Sequence, residues 1–382
     1  MPISILFLTT GLGVGGAEMM LYKLLSRIDR SRFTPQVVSL IDCGPLSERI
    51  QPLKVPIRSL GMPPGKLSPL SLLRLVSWLR QDRPDLLQTW MYHADLLGAL
   101  AAKLARSLPV VWCIQQGDLS PENNKRLTLR TARACALVSR RLATRIVCCS
   151  EASRRTHIAA GYAAEKMIVI PNAADITTFG PDSGARDSVR KELEISGSAL
   201  IIGLVGRFHP QKDHGNFVHA AALLHRVRPD VHFLLCGADV TWDNSQLAQW
   251  IREAGIMNRC HLLGRRDDTP RLTAAFDIAT SSSGHGEGFP MVLGEAMGCG
   301  VPCVVTDVGD SALIVGDTGR VVPPRDPAAL ASAWAELIDL GPEGREKLGI
   351  AARRRVKEQF NLPAIVERYE GLYEQLVVDA SA

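Results

Sequence analysis

The sequence predicts two doubly wound α/β domains, each built on a parallel sheet. Short apolar segments typical of buried strands alternate with segments of helical periodicity along nearly the whole chain, which is the pattern of βαβ units. The alternation stops after Asn172 at a stretch rich in Gly, Ser and Asp, and it starts again with ALIIGLVG. The 382 residues, 46% of them hydrophobic, suffice for two domains with full cores.

We therefore expect one Rossmann-like domain over residues 1–175 and a second over 196–360. The predicted strands of the first are ISILFLTT, TPQVVSLI, PVVWCIQQ, RIVCCS and MIVIPN, and those of the second are ALIIGLVG, VHFLLCG, CHLLG, FDIATSSS and VPCVVTDVG. A linker leads to a short helix at RKELEI. The tail 361–382 predicts an amphipathic helix, with Ile365, Val366, Tyr369, Leu372, Tyr373 and Leu376 at helical spacing.

Cysteine usage and hydropathy indicate a cytoplasmic protein. The nine cysteines contain no C-x-x-C pair, which favours a reducing compartment, core positions for the thiols and no structural metal. The first apolar run has no basic residue ahead of it and enters a Gly turn, so it predicts a strand and not a signal peptide. No segment approaches the ~20 apolar residues that span a bilayer.

The formal charge of +5 is distributed unevenly. Residues 1–175 hold 23 Lys and Arg against 12 Asp and Glu, whereas the rest holds 21 against 27. The basic stretch 125–145 interleaves six arginines with Leu and Ala, a pattern that suits the anionic inner face of the plasma membrane. Ordinary solvated arginines on a helix are the alternative.

A glycine-rich turn follows the first predicted strand and opens a helix: Gly11-Leu-Gly13-Val-Gly15-Gly16-Ala-Glu. Glycines at this position let backbone N–H groups approach a phosphate at the helix N-terminus. The string also fits G-x-G-x-x-G, with Asp42 after the next strand where a dinucleotide enzyme would hold a ribose. An NAD-dependent dehydrogenase or epimerase is therefore one alternative.

The second domain opens with a turn that carries two cations. Arg207 follows the strand ending at Gly206, and Lys212 comes five positions later. The carboxyl edge of a parallel sheet is where open α/β folds bind ligands. A guanidinium with a nearby ammonium suits a diphosphate.

The segment 281–302 is the most informative in the chain. Its glycine-rich loop contains Glu287, and the predicted helix after it starts near Pro290, carries Glu295 and ends near Gly300. Carboxylates so placed accept hydrogen bonds from sugar hydroxyls, and free N–H groups at a helix start face a phosphate.

Together these motifs resemble glycosyltransferase family 4, whose members are retaining enzymes of the GT-B fold, with two Rossmann-like domains facing across a cleft. The matching pieces are the early G-G-A-E, the G-R…K turn, and two glutamates with seven residues between them inside GEGFPMVLGEAMGCGVPCVVTDVG. They follow the family order across nearly the whole chain. The resemblance places the acceptor on the first domain, the nucleotide-sugar donor on the second, and the tail helix back toward the first.

The resemblance also implies roles for individual residues. Arg207 and Lys212 would bind the donor diphosphate, Glu287 would face the donor sugar, and Glu295 would hold the nucleotide ribose. The remaining donor-binding residues would be Gly15, Gly16, Gly288, Phe289 and Pro290. No metal is implied, and a UDP-sugar is favoured over a GDP-sugar.

One position departs from the family pattern. Many relatives carry a His in the loop after the strand VVWCI, where this chain has Gln115 and Gln116. Because Gln does not act as a base, its role there would be orientation by hydrogen bonds. His93, in TWMYHADLL, is a further candidate on the acceptor side.

The predicted function is transfer of a sugar from a nucleotide diphosphate sugar to an acceptor hydroxyl. The expected acceptor is a glycan or lipid-linked glycan of bacterial surface polysaccharide or glycolipid assembly, with no role for nucleic acid. Besides a dehydrogenase, a catalytically inactive nucleotide-sugar-binding protein is an alternative, because Gln115 and Gln116 replace a family His. The pattern leaves open the base, the sugar and the linkage formed.

Overall fold

The computed structural model describes residues 2–63 and 68–381. The chain divides into two compact units. Unit 1 consists of residues 1–173 and 362–382, and unit 2 consists of residues 174–361. Both are parallel α/β units, so the predicted fold class is confirmed.

Unit 1 contains a seven-stranded parallel sheet within the described residues. Its strands are β1 (Ile3–Thr9), β2 (Phe33–Ser39), β3 (Ile57–Ser59), β4 (Leu86–Trp90), β5 (Val110–Ile114), β6 (Arg145–Cys148) and β7 (Met167–Val169). Its first helices are α1 (Gly16–Arg27), α2 (Leu46–Ile50), α3 (Pro69–Asp82), α4 (Tyr92–Ala105), α5 (Arg126–Leu142) and α6 (Glu151–Ala159).

The sheet order of unit 1 is β3-β2-β1-β4-β5-β6-β7. The chain reverses its direction of progress between β1 and β4, and such a switch point opens a crevice at the carboxyl ends of the two strands. β4 and β5 are buried at every residue, because helices cover both faces of a parallel sheet.

Unit 2 contains a six-stranded parallel sheet within the described residues. Its strands are β8 (Ile201–Val205), β9 (His232–Cys236), β10 (Cys260–Leu262), β11 (Ile278–Ser281), β12 (Cys303–Thr306) and β13 (Gly319–Val322). Its helices are α7 (Ala185–Glu192), α8 (His214–His225), α9 (Ser245–Glu253), α10 (Thr269–Ala274), α11 (Met291–Gly298), α12 (Ser311–Val315), α13 (Pro327–Asp339) and α14 (Gly341–Gln359). The order β10-β9-β8-β11-β12-β13 puts the switch point between β8 and β11.

The last helix, α15 (Leu362–Ser381), belongs to unit 1. Tyr369 and Tyr373 are fully buried there, and the Tyr373 ring packs edge-on against Phe7 of β1 with centroids 6.3 Å apart. The Tyr373 hydroxyl donates to Gln88 Oε1. The C-terminal residues therefore complete the core of the N-terminal sheet.

The structure differs from the sequence prediction at the linker. Residues 174–195 belong to unit 2, and α7 begins at Ala185, five residues before RKELEI. Asp182 accepts hydrogen bonds from the N–H groups of Gly184 and Ala185 at the helix start. Arg190, 3% exposed, pairs with Asp277 at 2.9 Å and fastens α7 to unit 2.

Three strands and one cysteine also differ from expectation. The prediction omitted β3, β4 and β13; β4 (LLQTW) was missed because polar Gln88 and Thr89 interrupt its apolar run, although both are fully buried. Eight of the nine cysteines are buried as predicted, but Cys43 is exposed in the loop after β2.

Candidate functional site

In unit 2, the loops that follow β8 and β11 meet at the switch point of the sheet. The first loop spans residues 206–213 and carries Arg207 and Lys212, and the second spans 282–290 and carries Glu287. Of the charged residues predicted to bind the donor, only Glu295 lies outside these two loops. Adjacent parallel strands end at the same edge, which is why segments 75 residues apart in sequence come together.

The loop after β8 is shaped by close backbone packing. A Cβ atom at Gly237 would lie 2.1 Å from the carbonyl oxygen of Gly206, so only glycine fits there. A single 3₁₀ turn, Pro210–Lys212, then leads into Asp213, which has φ of 45° and accepts a hydrogen bond from Asn216 N at the start of α8. This turn directs Lys212 back over Gly206, whose added Cβ would lie 3.5 Å from the lysine side chain.

Lys212 and Glu287 form a direct ion pair. Lys212 Nζ lies 2.6 Å from Glu287 Oε1, and Ser283 Oγ donates to the same oxygen at 2.7 Å. The Glu287 side chain is 7% exposed and that of Lys212 is 20% exposed. The two residues with separate predicted roles, one at the diphosphate and one at the sugar, are therefore bonded to each other.

Hydrogen bonds with Gln211 and close backbone packing against Gly309 hold the loop after β11 in place. Gln211 Nε2 donates to Gly286 O at 3.0 Å, and Gly284 N donates to Gln211 O at 2.9 Å. Gly309 has φ of 65°, and a Cβ there would lie 2.4 Å from the Glu287 carbonyl oxygen. These contacts position the Glu287 carboxylate before any ligand arrives.

Positive charge surrounds the ion pair. Arg207 is exposed and forms no ion pair within the described residues. The pKa of His209 is lowered by partial burial and by the neighbouring Arg207, His285 and Lys212. Burial and Lys212 lower the pKa of His214 to about 4. Near neutral pH, arginine and lysine side chains, Arg207 and Lys212 among them, therefore carry the fixed positive charge of this edge.

Helix α11 places the other predicted donor residues. Glu295 lies on the helix and lines a small cavity with Val205 and Thr273. Pro290 occupies the residue before the helix and not its first turn, a small correction, whereas Gly300 follows the helix end with φ of 77° as expected.

The position of Phe289 limits its predicted donor contact. Its side chain is 5% exposed and packs against Phe360, with ring centroids 5.3 Å apart. Only the backbone of Phe289 faces the loop, so any contact of this residue with the donor is made by main-chain atoms. Gly288 is likewise held through its backbone, because its carbonyl accepts from Asp310 N at 3.0 Å.

In unit 1, the glycine turn leads from β1 into α1 as predicted. Gly15 precedes the helix with φ of −142°, and a Cβ at Gly16 would meet no atom within 4 Å. Packing therefore does not explain the glycine at position 16. The open space beside its Cα leaves room for a ligand at the helix start.

His93 lies near the carboxyl end of β4, one residue into α4. Its Nε2 is 3.5 Å from Thr131 Oγ1, and partial burial lowers its pKa. The preceding Met91 has φ of 71° and ψ of 158°, a region nearly restricted to glycine. This strained backbone turns the chain sharply between Trp90 and His93 at the switch point of unit 1.

Gln115 and Gln116 follow β5 and differ in environment. Gln116 Nε2 bonds to Asp118 O and Asn124 Oδ1, at 3.0 and 3.1 Å, so its side chain holds its own loop. Gln115 Nε2 donates to Cys113 Sγ at 3.3 Å, while its buried Oε1 has no protein partner in the described part of the chain. Gln115 therefore keeps a buried acceptor that the described protein groups do not use.

Sequence reasoning missed three residues that shape the unit 2 loops: Gln211, Asp213 and Ser283. The run Ser281-Ser-Ser at the end of β11 was a usable signal, because hydroxyls at the carboxyl edge of a strand are placed to donate to a carboxylate. Gln211 and Asp213 lie in a turn whose conformation was not readable from the sequence.

The described residues contain neither a candidate metal site nor a candidate membrane-spanning helix. Over residues 2–63 and 68–381, no three His, Cys, Asp or Glu side chains are grouped so as to hold a metal ion. Across the same ranges, no helix combines the length and apolar character needed to cross a bilayer.

Comparisons with known proteins agree with the geometry. Residues 14–178 match the model of "Glycosyltransferase Family 4", and residues 199–339 match that of "Glycosyl transferases group 1". An Escherichia coli UDP-Gal:alpha-D-GlcNAc-diphosphoundecaprenol alpha-1,3-galactosyltransferase is 26% identical over 315 residues, covering 81% of this chain and 80% of that protein.

Solved structures resemble the whole chain. Anabaena Alr3699/HepE in complex with UDP is 26% identical and superposes with a TM-score of 0.85 over 98% of this chain and 100% of that one. Sucrose-phosphate synthase from Thermosynechococcus elongatus, at 20% identity, shares the fold with a TM-score of 0.81 and full coverage of both chains. With the paired loops of unit 2 at their switch point, these matches show that the chain is a nucleotide-sugar-dependent glycosyltransferase of the GT-B fold that is similar to family 4.

Proposed function

We propose that this enzyme transfers a hexosyl unit from a UDP-sugar, with retention of anomeric configuration, to a hydroxyl of a glycan or lipid-linked glycan acceptor. The observation that carries the proposal is the Lys212–Glu287 ion pair beside Arg207, at the switch point of unit 2. The name of the E. coli relative specifies a UDP-sugar and a diphosphoundecaprenol-linked acceptor, and HepE has been solved with UDP-glucose. Both support this donor and acceptor class, and with it a role in cell-surface polysaccharide or glycolipid synthesis.

The chemistry proposed for unit 2 is electrostatic stabilisation of the leaving group. As the glycosidic bond breaks, negative charge grows on the diphosphate, and Arg207 with Lys212 neutralises it without a metal ion. Donor binding divides the Lys212 ammonium between the diphosphate and Glu287. The carboxylate, still held by Ser283 at 2.7 Å, then orients the donor sugar through its hydroxyls.

We place Glu295 at the nucleotide ribose, because it lies on α11, one turn beyond the start of the helix. The N–H groups around Gly288 and Phe289 face the diphosphate, and Gly15 and Gly16 contribute backbone contacts from unit 1. His93 and Gln115 are proposed to bind the acceptor, as hydrogen-bonding groups and not as bases.

We also propose that the basic stretch 125–145 contacts an anionic membrane surface. Helix α5 exposes a stripe on one face: Arg126, Arg130, Arg133, Leu137, Arg140 and Arg141. Leu137 is 85% exposed. Five cations with a protruding leucine are typical of helices that lie on the inner leaflet.

The test is release of UDP from UDP-glucose and UDP-galactose in the presence of a diphosphoundecaprenol-linked sugar. We expect UDP release that requires the acceptor, and a product whose anomeric proton signal shows the α-configuration of the donor. Binding of the UDP-sugar without acceptor-dependent release would favour an inactive binding protein. A β-linked product would exclude retention while leaving transfer intact.

A further inference from the structure

We propose that unit 1 carries a second anion site, a cationic pocket that binds a phosphate or diphosphate group at the amino edge of its sheet. The pocket has a volume of about 530 Å³ and is lined by Lys103, Arg106, Arg141, Arg145 and Lys166. We refer to this cavity as the amino-edge pocket and to these five residues as its cations. Nothing in the proposed transfer reaction uses them.

The topology separates the amino-edge pocket from the proposed acceptor residues. Val110 and Arg145 are the first residues of β5 and β6, and Lys166 immediately precedes β7. His93 and Gln115 lie at the carboxyl ends of neighbouring strands. A five-residue strand is about 15 Å long, so the two locations are at opposite edges of the same sheet.

The positive charge of the amino-edge pocket is only partly compensated. Five of its 13 lining residues are Lys or Arg, and none of the described residues that line it is acidic. Glu165, outside the lining, is paired with Arg140 at 3.2 Å. The pKa of Lys166 is lowered by partial burial and then by Arg145 and Arg140, against the opposing effect of Glu165. Like charges held this close repel one another, and an anion removes that cost.

Capping of the adjacent helix ends does not account for all five cations. The last carbonyls of α4 are bonded by Arg80, which donates to Leu104 O at 2.8 Å. Those of α5 accept from Lys166, at Arg140 O and Ala143 O. Lys103, Arg106 and Arg141 are exposed and form no ion pair in the described parts of the chain. Their charges remain available to a ligand.

A phosphate fits this arrangement better than a carboxylate. The volume lies within the range of ~300–1,000 Å³ that is typical of small-molecule pockets. One guanidinium group can donate hydrogen bonds to two phosphate oxygens, and a lysine ammonium adds a compact positive charge. Alanines and Leu142 line the pocket between the cations, so its apolar lining raises the strength of the charged contacts.

The phosphate has two candidate sources, a lipid headgroup or a soluble phosphorylated molecule. Leu104, next to Lys103 on α4, is 55% exposed, and Leu137, one helical turn before Arg141 on α5, is 85% exposed. Apolar side chains beside the cations favour a ligand with an acyl or prenyl chain.

The test is calorimetric titration of the full-length protein with sodium pyrophosphate. Because Arg207 and Lys212 would also bind pyrophosphate, the titrations use the Lys212→Ala background. We expect binding there that is weakened at least about tenfold by Lys103→Ser with Arg106→Ser, since two charge-assisted contacts are lost. The matched control, Arg130→Ser with Arg133→Ser on the exposed face of α5, should change affinity by less than about twofold, because remote exposed charges are screened.

Vesicle sedimentation distinguishes the two sources. Vesicles are made of phosphatidylcholine alone or with phosphatidic acid. If the ligand is a headgroup, Lys103→Ser with Arg106→Ser lowers binding to phosphatidic acid vesicles, and pyrophosphate displaces the protein from them. If it is a soluble phosphate, the same substitutions weaken pyrophosphate binding but leave sedimentation unchanged. Either result supports the phosphate site.

Transfer to a short soluble acceptor should be unaffected by these substitutions, so failure of this inference is distinguishable from failure of the proposed function. The inference is overturned if Lys212→Ala protein binds no pyrophosphate. It is equally overturned if the substitutions at Lys103 and Arg106 leave the pyrophosphate affinity of that protein unchanged.

Discussion

Lys212 Nζ lies 2.6 Å from Glu287 Oε1, so the cation expected at the diphosphate and the carboxylate expected at the sugar are bonded to each other. Each charge compensates the other, and both side chains are mostly buried. Their contributions to catalysis and stability are therefore coupled, and neither substitution acts on one ligand group alone.

The first prediction is that Lys212→Ala lowers turnover by roughly 10² to 10³, in line with the loss of one preorganised charge at a leaving group. It should also lower stability, because Glu287 keeps only part of its compensation. Adding Glu287→Gln should recover stability and cost less activity than in the wild type. Steady-state kinetics and urea unfolding are measured for the wild type, the two single variants and the double variant. Strictly additive effects of the two substitutions would contradict the coupling.

The second prediction separates the two glutamates. Glu295→Gln should weaken binding of bare UDP and raise the donor KM more than it lowers kcat, because a ribose contact is equal in ground and transition states. Glu287→Gln should lower kcat without weakening UDP binding, because it releases Lys212 to the diphosphate. Calorimetry with UDP and kinetics with the full donor make the comparison. The reverse pattern would mean that the assignment is wrong.

The third prediction concerns the basic stretch 125–145. Arg130→Glu with Arg133→Glu should reduce sedimentation with phosphatidylglycerol vesicles and leave UDP affinity unchanged, and binding of the wild type should weaken as salt screens the charges. Arg226→Glu with Arg252→Glu, two exposed arginines of unit 2, is the matched control. Equal binding of the wild type to neutral and anionic vesicles would argue against membrane contact.

The fourth prediction is a pH dependence of stability that originates at Asp95. Complete burial raises its pKa to about 7, although Thr89 Oγ1 donates to it at 2.6 Å. In the unfolded chain the pKa is ~3.9. The favourable contribution of the protonated carboxyl is therefore fully present below about pH 4 and is lost as pH rises through about 7.

Substitution isolates this contribution. The difference in unfolding free energy between Asp95→Asn and the wild type should shift in favour of the variant by on the order of 4 kcal/mol from pH 4 to pH 8. The buried His157 and His214, whose pKa values burial lowers to about 4, give the opposite trend below pH 6.5. Because both histidines are present in the variant and in the wild type, their effect cancels in the difference between the two unfolding free energies. Parallel stability curves from urea titrations would show that Asp95 is not responsible.

The fifth prediction concerns the last helix. Tyr373→Ala should cost about 3 to 5 kcal/mol, because it leaves a large cavity beside β1. Tyr373→Phe should cost about 1 to 3 kcal/mol, because the buried Gln88 loses its hydrogen-bond donor. Val378→Ala on the same helix, where Val378 is 66% exposed, should stay within about 0.5 kcal/mol of the wild type. Urea unfolding monitored by circular dichroism provides the measurement.

The sequence by itself determined the fold class, most of the strands, and the positions of Glu287 in a loop and Glu295 on a helix. These features depend on periodicity and local turn chemistry, which neighbouring residues encode. The same local rule failed at β4, where Gln88 and Thr89 look exposed in the sequence but are buried. Gln88 is buried with a partner far along the chain, Tyr373, 285 residues away. Thr89 is buried beside Asp95 of the following helix, to which its hydroxyl donates.

Only the tertiary structure decided which side chains meet. The Lys212–Glu287 pair joins loops 75 residues apart, and the amino-edge pocket collects cations from two helices and two strand ends. The burial of the Phe289 ring against Phe360 is a further example. In a parallel sheet, strand order determines which loops become neighbours, and strand order is set by packing over the whole domain, which no local segment of the sequence specifies.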